Sequence, residues 1–317
     1  MQGITCLFNK NTFFDIAKGS AASLALFIAY ILLMFAGPLT GIFAPFPVLY
    51  YTLKSGRGVG AAIILIATLV LFGISPAGAL IYLLQCGLFS VLLAEFLARG
   101  NGAAKSIAWT VAINVLVIVV FAVSYALWQG VDLNGLILKG INNSLIQTET
   151  YYKNSGLGSD ELEVLRIGLR QAADFVGKAY PSLLVVCIGA FAGLNLLLLK
   201  KSAHRLPRQL SLGDFCRFKN PDKLIWVLIV SGFALLTRND LVTRTALNIL
   251  IVLISLYFVQ GLAIAAHFFK RFQVPRFITY LFYALLIVQP YLTAVVAAVG
   301  LFDLWCDFRA PKKQENL

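Results

Sequence analysis

Apolar runs of membrane-crossing length follow one another along almost the whole of this chain. A helix needs about 20 largely apolar residues to cross roughly 30 Å of hydrocarbon. Eight or nine runs approach or meet that length, over residues 19–36, 42–53, 58–74, 78–97, 107–128, 181–199, 224–236, 246–269 and 278–305. Lipid offers the backbone no hydrogen-bond partners, so such runs fold as helices that satisfy their own N–H and C=O groups. Of the 317 residues, 60% are hydrophobic and 13% charged, where a soluble domain carries about 25% charge. The expected fold class is therefore all-α: a polytopic integral membrane helix bundle of eight to nine transmembrane segments.

The charge is lopsided, 26 Lys and Arg against 14 Asp and Glu. In an apolar chain such an excess marks the loops on the cytoplasmic side of a bilayer. Placing the amino terminus inside gathers most of the basic residues on that face, from Lys10, Lys18, Lys54 and Arg57, through Arg99, Lys105 and the loop 201–223, to Lys270, Arg271 and Arg276. The tight turns at 37–41 and 75–77 on the opposite face carry none. The expected location is the bacterial cytoplasmic (inner) membrane, multi-pass, with the amino terminus inside and the lipid bilayer as the first partner. Because the charge reads as topology, no nucleic-acid partner is expected. The first run leads straight into another apolar element rather than to a cleavage site, so it reads as a retained span and not a signal peptide.

The last run holds Gln289-Pro290 at its middle, and proline removes a backbone donor and kinks a helix. Two readings stand. Either the run is one long tilted span with Arg309, Lys312 and Lys313 outside, or it is two half-helices that turn back and return the tail to the inside.

Between the fifth and sixth runs lies a polar insert, 129–180, made of two amphipathic stretches around a turn-rich linker, Asn154-Ser155-Gly156-Leu157-Gly158. In the second stretch Ser159 is placed to cap the helix, and Asp160, Glu161 and Glu163 suit the positive end of its dipole. Leu162, Leu165, Leu169, Ala173, Val176 and Tyr180 recur at helical steps, and Arg170, Asp174 and Lys178 are spaced for i,i+4 pairs.

Ionisable residues deep in a span are functional suspects, and few exist here. Glu95, Asp303 and His267 each sit near a run's end, with Glu95 spaced to pair with Arg99. Neutral amides are more frequent: Gln85, Asn114, Asn195, Asn248, Gln260 and Gln289. Such groups join helices by hydrogen bonds or line a polar cavity. Small residues allow close helix approach at Gly189 and Gly193 and at Ala21, Ala25 and Ala29. The cysteines, Cys6, Cys86, Cys187, Cys216 and Cys306, show no metal-ligand spacing, and no GxxxxGK, GxSxG or HExxH motif is present. No metal, no cofactor and no enzymatic activity are expected.

Two resemblances add to this. Gln289-Pro290-Tyr291-Leu292, with Gly300-Leu301-Phe302-Asp303-Leu304-Trp305-Cys306-Asp307-Phe308-Arg309, resembles the closing motif of the YybS-like family of predicted bacterial membrane proteins, and Asn248 and Gln260-Gly261 fit the same family. The first half, through 37–47, the short run 42–53 and the Gly-rich turn 56–60, is similar to the S components of energy-coupling-factor vitamin transporters. That resemblance implies a six-span core, placed here over 1–200 with the insert 129–180 as an addition to it; the basic loop 201–223 and the carboxy-terminal spans and tail, 224–317, depart from the pattern. It also implies docking of Ala21, Ala25 and Ala29 on a membrane coupling subunit. The function expected is binding or transport of a small neutral or weakly polar solute, with Pro38, Thr40, Pro45, Gln85 and Trp128 lining the site. The alternative is a non-transporting scaffold of cell-envelope assembly, with envelope proteins as partners.

Overall fold

A computed structural model describes residues 10–33, 37–155, 158–207, 210 and 212–309. Within them the chain is almost entirely helical, with no strand. Six helices are long and apolar enough to cross a membrane, and a seventh crossing is reached if the bent pair Arg276–Val288 and Pro290–Cys306 counts as one. Eight to nine is therefore too many. The expected turn at 37–41 is instead the short helix α2 (Gly37–Phe43), and the second apolar run gives only α3 (Phe46–Ser55), the two being separated where Pro45 and Pro47 remove two helical donors. The seventh run gives only α10 (Leu224–Ala234).

The chain divides into two compact units. Unit 1 comprises residues 1–129 and 187–213. It holds α1 (Lys10–Leu32), α2, α3, α4 (Arg57–Ile74), α5 (Pro76–Tyr82), a π-helical segment (Leu83–Leu88), α6 (Phe89–Ala98), α7 (Gly102–Gln129) and the end of α9. Phe27 of α1 packs edge-on to Tyr82, within a core that includes Ala44, Ala67, Leu71 and Cys86. Large apolar side chains such as Leu65, Leu69 and Phe72 of α4 face outward, as lipid contact requires.

Ion pairs gather at one end of this unit. Lys54 bonds Asp15 at 2.8 Å, and Glu95 accepts from both Arg57 at 2.7 Å and Arg99 at 2.9 Å. The Glu95–Arg99 pair is the i,i+4 contact expected from the sequence. Because Asp15 lies near the start of α1 and Lys54 near the end of α3, the broken second run returns the chain to the level at which α1 began.

Unit 2 comprises residues 130–186 and 214–317. It contains α8 (Leu133–Asn154), the first part of α9 (Ser159–Ser202), α10, α11 (Asp240–Arg271), α12 (Arg276–Val288) and α13 (Pro290–Cys306). The polar insert thus groups with the carboxy-terminal helices, whereas the sequence reading places it with the first half. Asp132 caps α8 through the amides of Asn134 and Gly135. Arg166 reaches Glu149 at 3.4 Å between the two insert helices. The expected Arg170–Asp174 and Asp174–Lys178 pairs are not formed among the described residues.

The tightest helix packing in unit 2 is between α11 and α13. A Cβ on Gly300 would fall against the Tyr257 carbonyl and within 2.7 Å of the Gly261 nitrogen; one on Gly261 would meet the Val296 carbonyl. Backbone therefore lies on backbone, as small residues permit in membranes. The expected Gly189 and Gly193 step is not such a site: nothing lies within 4 Å of a Cβ built on Gly193.

Gly300 packs on Gly261, and Asp307 and Arg309 share a cleft with His267, Lys270 and Arg271, so the carboxy-terminal ends of the two helices lie together. A straight ninth span following α11 would run antiparallel to it. Instead α12 and α13 meet at 109° across Gln289-Pro290, and α13 ends level with the end of α11. The break expected at Gln289-Pro290 is present, and a bent span and a turned-back pair both contain it.

Candidate functional site

Three polar centres stand out in this apolar protein, one in unit 1 and two in unit 2.

In unit 1 the break between α2 and α3 interrupts a helix within an apolar stretch, which leaves carbonyls for side chains to satisfy. Asn195 donates to the Ile42 carbonyl at 2.8 Å, Ser23 to the Ala44 carbonyl at 3.0 Å, and Ser90 to the Pro45 carbonyl at 2.9 Å. Ser23 also shares a 2.8 Å hydrogen bond with the Tyr82 hydroxyl. All four side chains are buried. Three helices, α1, α6 and α9, thus converge on one broken turn.

The capacity of this collar is not exhausted. The Asn195 Oδ1 is buried without a hydrogen-bond partner. On α7, Ser106, Thr110 and Asn114 form a buried stripe at four-residue steps, and Ser106 Oγ, Thr110 Oγ1 and Asn114 Nδ2 likewise have no partner. The α6–α7 hairpin turns at 99–101, so an equal rise along each helix sets Thr110 about level with Ser90 and Asn114 about level with the π-helical segment. That segment packs on α7, and single π turns inside α-helices recur at functional sites.

The residues expected to line a solute site are dispersed around this break. The Pro45 carbonyl is part of the collar. The Thr40 hydroxyl is spent on its own helix, donating to the Gly37 carbonyl at 2.8 Å. Gln85 lies half-buried in the π-helical segment. Trp128 is 81% exposed near the end of α7. The Pro38 side chain lies outside the described residues. Ala21 and Ala25 are exposed and Ala29 half-buried, on the face of α1 away from buried Ser23 and Phe27.

In unit 2 the first centre surrounds Pro181, which lies inside α9. Proline has no N–H to give the Gly177 carbonyl and crowds that turn. Arg244 of α11 donates to that carbonyl at 3.0 Å. One turn on, Asn248 bridges the opened helix: its Nδ2 donates to the Lys178 carbonyl at 2.9 Å and its Oδ1 accepts from the Ser182 amide at 2.9 Å. Asn248→Leu is expected to cost about 1–3 kcal/mol, since it leaves a donor and an acceptor unpaired in a partly buried site. In a Pro181→Ala background, where α9 can close its own hydrogen bonds, the same substitution should cost under about 1 kcal/mol. Steric trapping of the four variants measures the coupling.

The second centre is built on Asp303. The sequence places it near an interface, but its side chain is fully buried beside Arg309, 2.6 Å away. Gln260 donates to the same carboxylate at 2.9 Å and the Phe308 amide at 3.1 Å. The Gln260 oxygen in turn accepts from the Asn220 amide, and Asn220 donates to the Leu256 carbonyl. Arg309 also donates to the carbonyls of Cys216 and Phe218, at 3.1 and 2.8 Å. The chain reverses to make this possible at Asp307, which takes φ 37°. The end of α13 and residues 307–309 are thereby tied to the loop before α10.

Asn195, Asn248 and Gln260 act as links between elements, one of the two roles foreseen for the amides. Gln289 is exposed and only begins α13. Asp303 and Arg309, by contrast, were not foreseen as a pair.

Residues 21–304 match the protein family described as "Predicted membrane protein (DUF2232)". The chain is 22% identical over 297 residues to the "Uncharacterized protein YybS" of Bacillus subtilis (strain 168), covering 91% of this chain and 96% of that one. No solved structure matches it. Asn248, Gln260, Asp303 and Arg309, which carry the YybS-like resemblance in sequence, are the residues that interlock in unit 2.

Proposed function

The chain belongs to the DUF2232 family of predicted membrane proteins, and on that footing we propose that unit 1 binds a small neutral polar solute at the break between α2 and α3. Proline-interrupted membrane helices recur at solute sites, because unwound backbone and nearby polar side chains supply hydrogen bonds at depth. The observation that carries the reading is the collar itself. Ser23, Ser90 and Asn195 meet the broken turn, while Asn195 Oδ1, Thr110 Oγ1 and Asn114 Nδ2 stay buried and unpartnered. These groups are uncharged, which suits a neutral ligand that both donates and accepts hydrogen bonds. Of the expected lining, Pro45 offers the carbonyl that Ser90 meets, and the reading assigns Gln85 of the π-helical segment to the same site.

Transport of the solute in the manner of an S component is the extension of this reading. The inner membrane is its setting, and the Ala21, Ala25 and Ala29 face of α1 is the surface for a coupling subunit.

Native mass spectrometry of protein from gentle detergent, with thermal shifts against a metabolite library, tests the site. A neutral polar compound should copurify or raise the melting temperature, and Asn195→Ala and Thr110→Val should each weaken it by about tenfold, the loss of one hydrogen bond in a buried site. If no compound stabilises or copurifies, or if both variants keep the full shift, the proposal fails.

A further inference from the structure

Unit 2 carries a second recognition surface with the opposite chemistry. A cleft of about 600 Å³ opens at the end of α11, walled by Arg217 and Lys219 of the loop, His267, Lys270 and Arg271 of α11, and Arg309 after α13, with Asp214 and Asp307 as its acidic groups. Its size falls in the range of small-ligand sites, roughly 300 to 1,000 Å³. Five permanent cations face two carboxylates, and a concave surface concentrates such a field.

The cations differ in how firmly they are held. Arg309 is fixed by Asp303 and by the carbonyls of Cys216 and Phe218, and forms a rigid wall. Lys270 approaches Asp214 only at 3.8 Å and Lys219 approaches Asp222 at 3.5 Å, contacts that water and salt largely screen. Arg217 and Arg271 form no ion pair with another described residue, and both are exposed. The two free guanidinium groups supply the planar, forked donors that bind phosphate oxygens in pairs, and Arg309, whose Nη1 and Nη2 serve Cys216, Phe218 and Asp303, is the wall beside them.

The same end of the unit carries exposed aromatic side chains: Trp305, Phe272, Phe277 and Tyr280. Such rings settle at the level of lipid headgroups, which sets the mouth of the cleft where a membrane phosphate can enter from the side. We propose that this cleft binds a phosphate monoanion or diester, with the headgroup of an anionic phospholipid as its source, and that Arg217 and Arg271 grip it against Arg309. Basic pockets between membrane helices on the cytoplasmic side bind anionic headgroups by this chemistry.

The experiment uses the full chain in nanodiscs of phosphatidylcholine with or without phosphatidylglycerol, read by native mass spectrometry of retained lipid. A parallel arm follows melting of detergent-solubilised protein in sodium phosphate against sodium chloride at equal ionic strength. The wild type should retain phosphatidylglycerol selectively, and Arg217→Gln with Arg271→Gln should weaken retention by roughly 30-fold, at about one lipid-surface charge interaction per arginine. The control pair Lys153→Gln with Arg238→Gln, outside the cleft, should leave retention unchanged. Stabilisation by inorganic phosphate that disappears in the Arg217/Arg271 pair, without lipid selectivity, would support the phosphate site with a soluble anion as its source. Equal loss in both pairs, or no loss in either with no phosphate effect, would overturn the proposal. Unit 1 solute binding is read independently and survives either result.

Discussion

Asp303→Ala should destabilise unit 2 by about 3–5 kcal/mol, the cost of breaking a buried ion pair from one side. Three groups lose their acceptor at once: the Arg309 guanidinium, the Gln260 amide and the Phe308 N–H. Arg309 is 12% exposed by its side chain and Asp303 not at all, so water cannot take over without opening the packing. Freed Arg309 also gives up the carbonyls of Cys216 and Phe218, and the tail should detach from the loop. Hydrogen exchange should then rise over 214–220 and 303–309 before the rest of α11 is affected. Asp303→Leu combined with Arg309→Leu should recover much of the loss, because the pair is removed together and no charge is stranded. Equal destabilisation by the single and double variants would show that the ion pair itself is not what the site depends on.

Gly300→Ala is expected to be worse than its size suggests, at about 3 kcal/mol or more. The added methyl meets the Tyr257 carbonyl and the Gly261 nitrogen. Both are backbone atoms in a helix, and neither can swing aside as a side chain would. Helix α13 must then lift from α11, taking Asp303 out of reach of Gln260. Gly193→Ala supplies the contrast. No atom lies within 4 Å of that position, and the change removes a helix-weakening glycine, so stability should hold or rise by up to about 1 kcal/mol. Melting by intrinsic fluorescence, with size-exclusion profiles of both variants, reads the difference.

The helices were legible in the sequence because run length and hydropathy dictate them in lipid. So were the insert's two stretches, the Glu95–Arg99 pair and the break at Gln289-Pro290. The number of spanning helices was not, because the apolar runs 42–53 and 224–236 give helices of only ten and eleven residues, α3 and α10, too short to cross alone. The close approach of α11 to α13 was hidden too. It uses one glycine from each helix, Gly261 and Gly300, so no GxxxG spacing announces it, whereas Gly189 and Gly193 show the spacing without the contact.

Asp303 and Arg309 stand six residues apart, a separation that no helix brings face to face. They meet because Asp307 adopts a left-handed turn, a conformation that short polar side chains tolerate better than most. In the first unit Pro45 and Asn195 are visible in sequence, but the collar of Ser23, Ser90 and Asn195 depends on three helices distant in sequence.

A turned-back last run, with Arg309 joined to the loop before α10, is most directly tested by cysteine labelling in intact spheroplasts and in lysed ones. In a chain whose other cysteines are replaced, Cys306 and Asp222→Cys report the end of α13 and the loop, and Arg238→Cys reports the start of α11, at the far end of that span from Lys270 and Arg271. Cys306 and the Asp222→Cys variant should react with a membrane-impermeant maleimide from the same side, and Arg238→Cys only from the other. Labelling of Cys306 together with Arg238→Cys, and apart from Asp222→Cys, would contradict the architecture described.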